Sequence, residues 1–181
     1  SGYCKAILCR VERKRYLRET LLCSGISGGL AVFLPVLLSD IVWIINGEPN
    51  TGEQMGINYF TVFDGTVYGE LQFVWNGFFL VLFLLLLAFL FGASWSVIGL
   101  CVSALIPNRY ITLAAPFALF FGAHLILYRL DKPLLFSPAN VLMPATDFIP
   151  FPAFPLLYQL GMLALASALC WKLLERRLRD V

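Results

Sequence analysis

Residues 71–106 read LQFVWNGFFLVLFLLLLAFLFGASWSVIGLCVSALI and contain no Asp, Glu, Lys, Arg or His. A run this long and apolar has lipid as its solvent. A bilayer span needs about 20 such residues at roughly 1.5 Å each, more than a soluble core helix ordinarily supplies. Helical throughout, the run would be roughly 54 Å long. That exceeds one hydrocarbon core of about 30 Å, yet falls short of two spans and a turn. The flanking charges, taken up below, decide for one crossing, entered through an outer helix and bent near Gly92.

The rest of the chain agrees with a lipid solvent. Hydrophobic residues make up 60% and charged residues 13%, against about a quarter charged in soluble domains. The sequence therefore predicts an all-α integral membrane protein. It begins Ser1-Gly2, and residues 1–22 lack the apolar core and cleavage site of a signal peptide. A fragment of a longer chain, or a chain with a tag remnant, is the expectation. Cys4, Cys9, Cys23, Cys101 and Cys170 fall in segments assigned to the inside or the membrane, so no disulfide framework follows. No CxxC or Cys/His metal spacing occurs, and no metal or cofactor is expected. The basic residues sit at membrane boundaries rather than along one stripe, so no nucleic-acid partner is expected.

Residues 1–22 carry Lys5, Arg10, Arg13, Lys14, Arg15 and Arg18 against Glu12 and Glu19, with Tyr3, Ile7, Leu8 and Val11 spaced for one helical face. This predicts an amphipathic helix on the cytoplasmic surface. It serves either as a juxtamembrane anchor that fixes orientation or as a docking surface for a soluble partner. Residues 23–45 form the first span, where Gly25 and Gly29 make a GxxxG pair suited to close helix approach and Pro35 interrupts one backbone hydrogen bond. Asp40, near the outer end, is expected to reach the headgroups. Residues 46–70 are polar, Gly-rich and acidic, with Tyr59, Phe60, Phe63 and Tyr68 interleaved. They predict an outer loop resting on the membrane surface.

Within 71–106, Gln72, Trp75 and Asn76 mark an interface and the Leu/Phe block faces lipid. From Gly92 onward small residues recur: Gly92, Ser96, Gly99 and Ser103 share one face, suited to tight packing or, in the sharper reading, to lining a path. Pro107-Asn108-Arg109-Tyr110 closes the run as a cytoplasmic turn. Residues 111–128 form the next span, with Pro116 and the chain's single histidine, His124. With no acidic or Cys neighbour in its span, His124 reads as hydrogen-bonded in a helix interface rather than as a ligand or base. Residues 133–155 hold Pro133, Pro138, Pro144, Pro150, Pro152 and Pro155, too closely spaced for a continuous helix. They predict a proline-broken, re-entrant or surface-lying outer segment. Residues 156–174 form the last span, and 175–181 a basic cytoplasmic tail.

Both ends of the chain are basic, so the number of crossings should be even. With four transmembrane helices, every Lys and Arg except Arg129 and Lys132 lies inside, whereas Glu48, Glu53, Asp64, Glu70, Asp131 and Asp147 lie outside. Splitting 71–106 into two spans would place one basic end outside. The sequence thus predicts a multi-pass protein of the cell membrane, with both ends of this segment cytoplasmic.

Chemistry has few candidates. Gly25-Ile26-Ser27-Gly28 resembles the GxSG nucleophile motif of rhomboid intramembrane proteases, with His124 as the base. Ser27 lies about four residues into its helix and His124 about thirteen into its own. The two depths differ by roughly 13 Å, which disfavours a dyad. No paired intramembrane aspartates, HExxH, or phosphate-cradling Gly-rich loop with Lys occurs.

A broader likeness runs along the whole chain: the basic segment RVERKRYLRET, a span opening SGISGGL and containing a proline, a span ending GLCVSALIPNRY, and a last pair of spans flanking a broken outer segment. In this order the chain resembles the ABC-2-type permeases of ABC transporters, from the coupling region through the last four of six spans. The resemblance implies a permease subunit, an exporter, that does no chemistry itself. Its partners would be a separate ATPase subunit and a second permease copy or paralogue, within the lipid bilayer. It makes Tyr3, Ile7, Leu8, Arg10, Val11 and Arg13 candidates for coupling to the ATPase, and 133–155 the outer re-entrant element. The helix-packing or path candidates are Gly25, Gly29, Gly92, Ser96, Gly99 and Ser103. The other reading is a membrane anchor or sensor whose outer loops bind a partner, which accounts for the length of 46–70 but less well for the small-residue faces and mid-span prolines.

Overall fold

The computed structural model describes residues 12–46, Thr66, Tyr68, 78–106, 108–129, 136–142, Ile149 and 151–179. These fold into α1 (Arg13–Asn46), α2 (Phe78–Leu105), α3 (Arg109–Arg129), the five-residue α4 (Pro138–Leu142) and α5 (Phe154–Arg179), with no strand among them. α1, α2, α3 and α5 are each long and apolar enough to cross a membrane. Four candidate spans and an all-helical fold are therefore what the described residues form. Residues 1–11, the supposed outer helix at 71–77, and most of 46–70 and 133–155 lie outside the described residues.

α1 differs from the sequence expectation at its start. No boundary separates a surface helix from a span at residue 22. One helix of 34 residues runs from Arg13 to Asn46, roughly 51 Å long and so longer than a hydrocarbon core. Its covered positions Leu17, Leu21, Ser24, Gly28, Val32, Val36 and Asp40 recur every three or four residues, the period of one helical face. Asp40 belongs to that face and is only 8% exposed. The expectation that it reaches the headgroups is corrected, because the period that partly covers Gly28 and Val36 carries Asp40 inward as well.

α2 is the central mast. Its buried residues include Leu85, Leu87, Ala88, Leu90 and Ala93, which face several directions and so require neighbours on several sides. α1, α3 and α5 all pack against it. It continues as one helix through Gly92. There Gly92 serves close approach to α1.

The turn into α3 follows its sequence. Asn108 caps the helix, its Oδ1 accepting from Tyr110 N at 2.9 Å and Ile111 N at 3.5 Å, which satisfies two of the amides left free at a helix start. α3 touches α2 through an edge-on aromatic group, Phe120 against Phe91 and Trp95 at 5.8 and 5.7 Å. Much of its remaining surface is exposed, as at Leu113, Phe117 and Ile126. α5 opens with Pro155 in its first turn, where a missing amide costs no hydrogen bond. At its far end Arg177 Nη1 donates to the Ser103 carbonyl at 2.9 Å, placing a cation on the last turn of α2, where the helix dipole favours it.

Candidate functional site

Three polar or close-packed nodes stand out in the fold. The first is the crossing of α1 over α2. A Cβ on Gly28 would overlap Ser96, and one on Gly92 would overlap the Gly28 carbonyl. The two backbones therefore meet where only glycine fits. Beside the crossing, Ser96 Oγ donates to the Ser24 carbonyl at 2.8 Å, and the two serine hydroxyls lie 2.9 Å apart. The crossing is tight in its backbone and closed by a hydrogen-bonded serine pair.

The candidate packing residues divide among several neighbours. Gly29 is buried under the ring of Phe89. Gly25, its GxxxG partner, has Val97 Cγ2 at 3.9 Å from a hypothetical Cβ. Gly28, which the GxxxG reading passed over, makes the closest approach. Gly92 and Ser96 face α1, whereas the nearest neighbour of Gly99 is Pro116 of α3, at 3.4 Å from a hypothetical Cβ. Ser103 Oγ donates within its own helix to Leu100 O at 2.7 Å, and its carbonyl receives Arg177. One face of α2 thus meets different helices at different heights. Of the coupling candidates, Tyr3, Ile7, Leu8, Arg10 and Val11 lie outside the described residues, and Arg13 is the first residue of α1.

The second node joins α3 to the broken segment. His124 Nδ1 and Ser137 Oγ are 2.8 Å apart. A serine and a histidine at this distance have the reach of a nucleophile and its base. Ser137, however, is wholly buried, and its carbonyl accepts from Val141 N at the start of α4. The bond fixes α3 to α4. It also bears on the GxSG motif, because Ser27 Oγ donates to Ser24 O of its own helix at 3.1 Å. Ser27 and His124 are each engaged elsewhere. Nearby, Tyr158 Oη donates to Phe136 O at 3.1 Å, and Phe136 packs against Phe154 and Tyr158.

The third node gathers distant parts of the chain over the start of α2. Tyr68 is completely buried and stacks on Phe83 at 5.4 Å. Its hydroxyl donates to Pro152 O at 2.7 Å. Leu80 and Ile149 complete the cluster, with Phe154 against it. Burial pushes the Tyr68 phenol above its ordinary pKa, because the anion would lose its water. Tyr68 is therefore anchored into the fold, which the membrane-surface reading of its segment did not anticipate.

On the opposite end of the helices, Cys101 Sγ donates to Ala166 O at 3.5 Å, in a cluster of Val97, Ala166 and Cys170 with Leu21 and Leu174 against it. Among the described residues no three His, Cys, Asp or Glu side chains gather into a metal-holding group. What these nodes do chemically is hold the long helices, α4 and Tyr68 in fixed relation. Comparison of the chain with protein-family models, curated proteins and solved structures gave no match in any of the three.

Proposed function

We propose that this chain is the membrane-spanning part of an ABC-2-type permease, forming a path through the cell membrane and driven by ATP hydrolysis in a separate subunit. The observation that carries the reading is the short α4, a broken element between α3 and α5. It stands where the sequence resemblance puts an outer re-entrant element, and the His124–Ser137 and Tyr158–Phe136 bonds hold it to both flanking helices. A packed group of helices with a braced break between two of them suits a body that moves as a unit.

Further support comes from α3. It touches α2 through Phe120 and elsewhere presents exposed apolar side chains, a surface a second permease copy could share with lipid. In this reading the permease moves and the ATPase does the chemistry. Tyr3 to Val11, with Arg13, would form the coupling region, and both ends of the segment would be cytoplasmic.

The test is affinity purification of the intact parent protein from its own membranes in mild detergent. A stoichiometric ATP-binding subunit, with ATPase activity dependent on the permease, is the expected result. Reversing the charges of Arg10 and Arg13 should abolish that association. Co-purification unchanged by the reversal would sink the coupling assignment. The absence of any ATPase would favour the anchor or sensor reading, which needs none.

A further inference from the structure

On α5, Ala166 and Cys170 are one turn apart on a single face, and both are buried against Val97 of α2. Cys101 of α2 meets the same turn. Its Sγ donates to Ala166 O at 3.5 Å, and its side chain packs against the cluster that holds Cys170. The thiols of Cys101 and Cys170 are hydrogen-bonded to one another. Both are reduced, and they differ in access: Cys170 is completely buried, whereas Cys101 is partly exposed. Two residues beyond Cys101, about 3 Å further along the helix axis, the Ser103 carbonyl receives Arg177. The thiol pair therefore stands beside the polar end of α2.

We propose that Cys101 and Cys170 are a redox-active pair, which a peroxide closes into a disulfide joining α2 to α5. The peroxide meets the partly exposed Cys101 first. The Cys101 sulfur attacks one peroxide oxygen, the O–O bond breaks, and the departing hydroxide leaves with the thiol proton as water. Cys101 is then a sulfenic acid. The Cys170 sulfur, already in contact, attacks the Cys101 sulfur. An S–S bond forms, the S–O bond breaks, and hydroxide leaves with the Cys170 proton as a second water. Two thiols become one disulfide, and one peroxide is reduced to two waters. Burial shields Cys170 from the peroxide itself, so it enters the reaction through Cys101. The new bond would hold α2 and α5 against sliding at the level where Arg177 already joins them. Two cysteines that serve only as small apolar packing groups would stay inert. Cys23, exposed on α1, supplies the comparison within the same chain. The inference stands apart from the transporter reading, since neither an ATPase nor a second permease copy enters it.

The test is hydrogen peroxide treatment of the purified full chain in mild detergent, followed by blocking of the remaining thiols with N-ethylmaleimide and peptide mapping by mass spectrometry. A Cys101–Cys170 linked peptide, lighter by two hydrogens than the two thiol peptides together and released by dithiothreitol, is the expected product. The thermal midpoint should rise on oxidation and return on reduction. Cys170→Ser removes the second thiol, so the Cys101 sulfenic acid should persist and be trapped by dimedone. Cys101→Ser should leave Cys170 reduced, and Cys23→Ser should leave the linkage unchanged. Helix content by circular dichroism separates lost linkage from lost fold. Should a variant fail to fold, the peptide map of the unaltered protein still decides. Mixing isotope-labelled with unlabelled protein tells a bond within one chain from a bond between two. Cys101 and Cys170 both open to blocking after Cys23 has been oxidised, Cys101 linked to a different cysteine, or linkage between labelled and unlabelled chains would each overturn the proposal.

Discussion

The carbonyl oxygen of Gly28 lies so close to Gly92 that a single methyl group on Gly92 would occupy its place. In lipid, helices gain little from hiding apolar surface from one another. Their association rests on close packing and hydrogen bonds. This crossing supplies both, the glycines permitting the approach and Ser24 with Ser96 closing it.

Replacing Gly28 or Gly92 by alanine should force α1 and α2 apart. The expected loss is about 1–3 kcal/mol, as for overpacking in a tight core, read as a lower thermal midpoint in detergent. Gly122 and Gly161 provide the contrast, because a Cβ on either meets nothing within 4 Å. Gly122→Ala and Gly161→Ala should be neutral or gain up to about 1 kcal/mol from helix propensity. If all four alanines behaved alike, the crossing would not be where the helices are held.

Ser24 and Ser96 should show a measurable but small coupling. A double-mutant cycle of Ser24→Ala and Ser96→Ala is expected to give about 0.6 kcal/mol, and no more than about 1.7, the range for hydrogen bonds between membrane helices. Either single change should cost less than Gly92→Ala, because it removes a bond without inserting an atom. Strictly additive single changes would show that the pair contributes nothing to holding α1 on α2.

How much of this was legible in the sequence follows from what a period can carry. The charge-free runs announced the four long helices, since length and apolarity decide what crosses a bilayer. The Pro107-Asn108-Arg109-Tyr110 string announced a turn, and the fold shows that Asn108 caps the helix after it. The prolines announced the break between α3 and α5. The register of the crossing was less legible. A GxxxG reading singles out Gly25 and Gly29, yet Gly28 makes the closest approach, because the contact residue depends on the angle at which α1 meets α2.

Asp40 could have been found from periodicity. It lies four residues beyond Val36 and twelve beyond Gly28, at steps that keep the three on one helical face; its position near the end of the span drew the reading outward instead. The anchoring of Tyr68 could not have been found that way. It joins a loop residue to Pro152 across 84 positions of sequence, and no local pattern encodes a partner that distant. The same holds for His124. Its sequence said that it needs a hydrogen bond, and only the fold says that Ser137 provides it.

Tyr68 offers a pH-dependent test of that long-range anchor. Tyr68→Phe keeps the ring on Phe83 but leaves Pro152 O without its donor, at an expected cost of about 0.5–1.5 kcal/mol. Tyr68→Ala removes the ring as well and should cost about 3–5 kcal/mol. The pKa of the buried phenol is raised, whereas in the unfolded chain a tyrosine ionises near pH 10. Below about pH 10 both states hold the proton, and the contribution is fully present. As pH rises past that value the unfolded state gives up its proton first, so the stability due to Tyr68 falls. Thermal unfolding of the parent and the Tyr68→Phe variant should therefore differ by a constant amount from pH 6 to about pH 9 and converge above about pH 10. Hydrogen exchange over residues 149–154 should report the same loosening. A difference that stayed constant into strong alkali would mean that the phenol is not buried against Pro152.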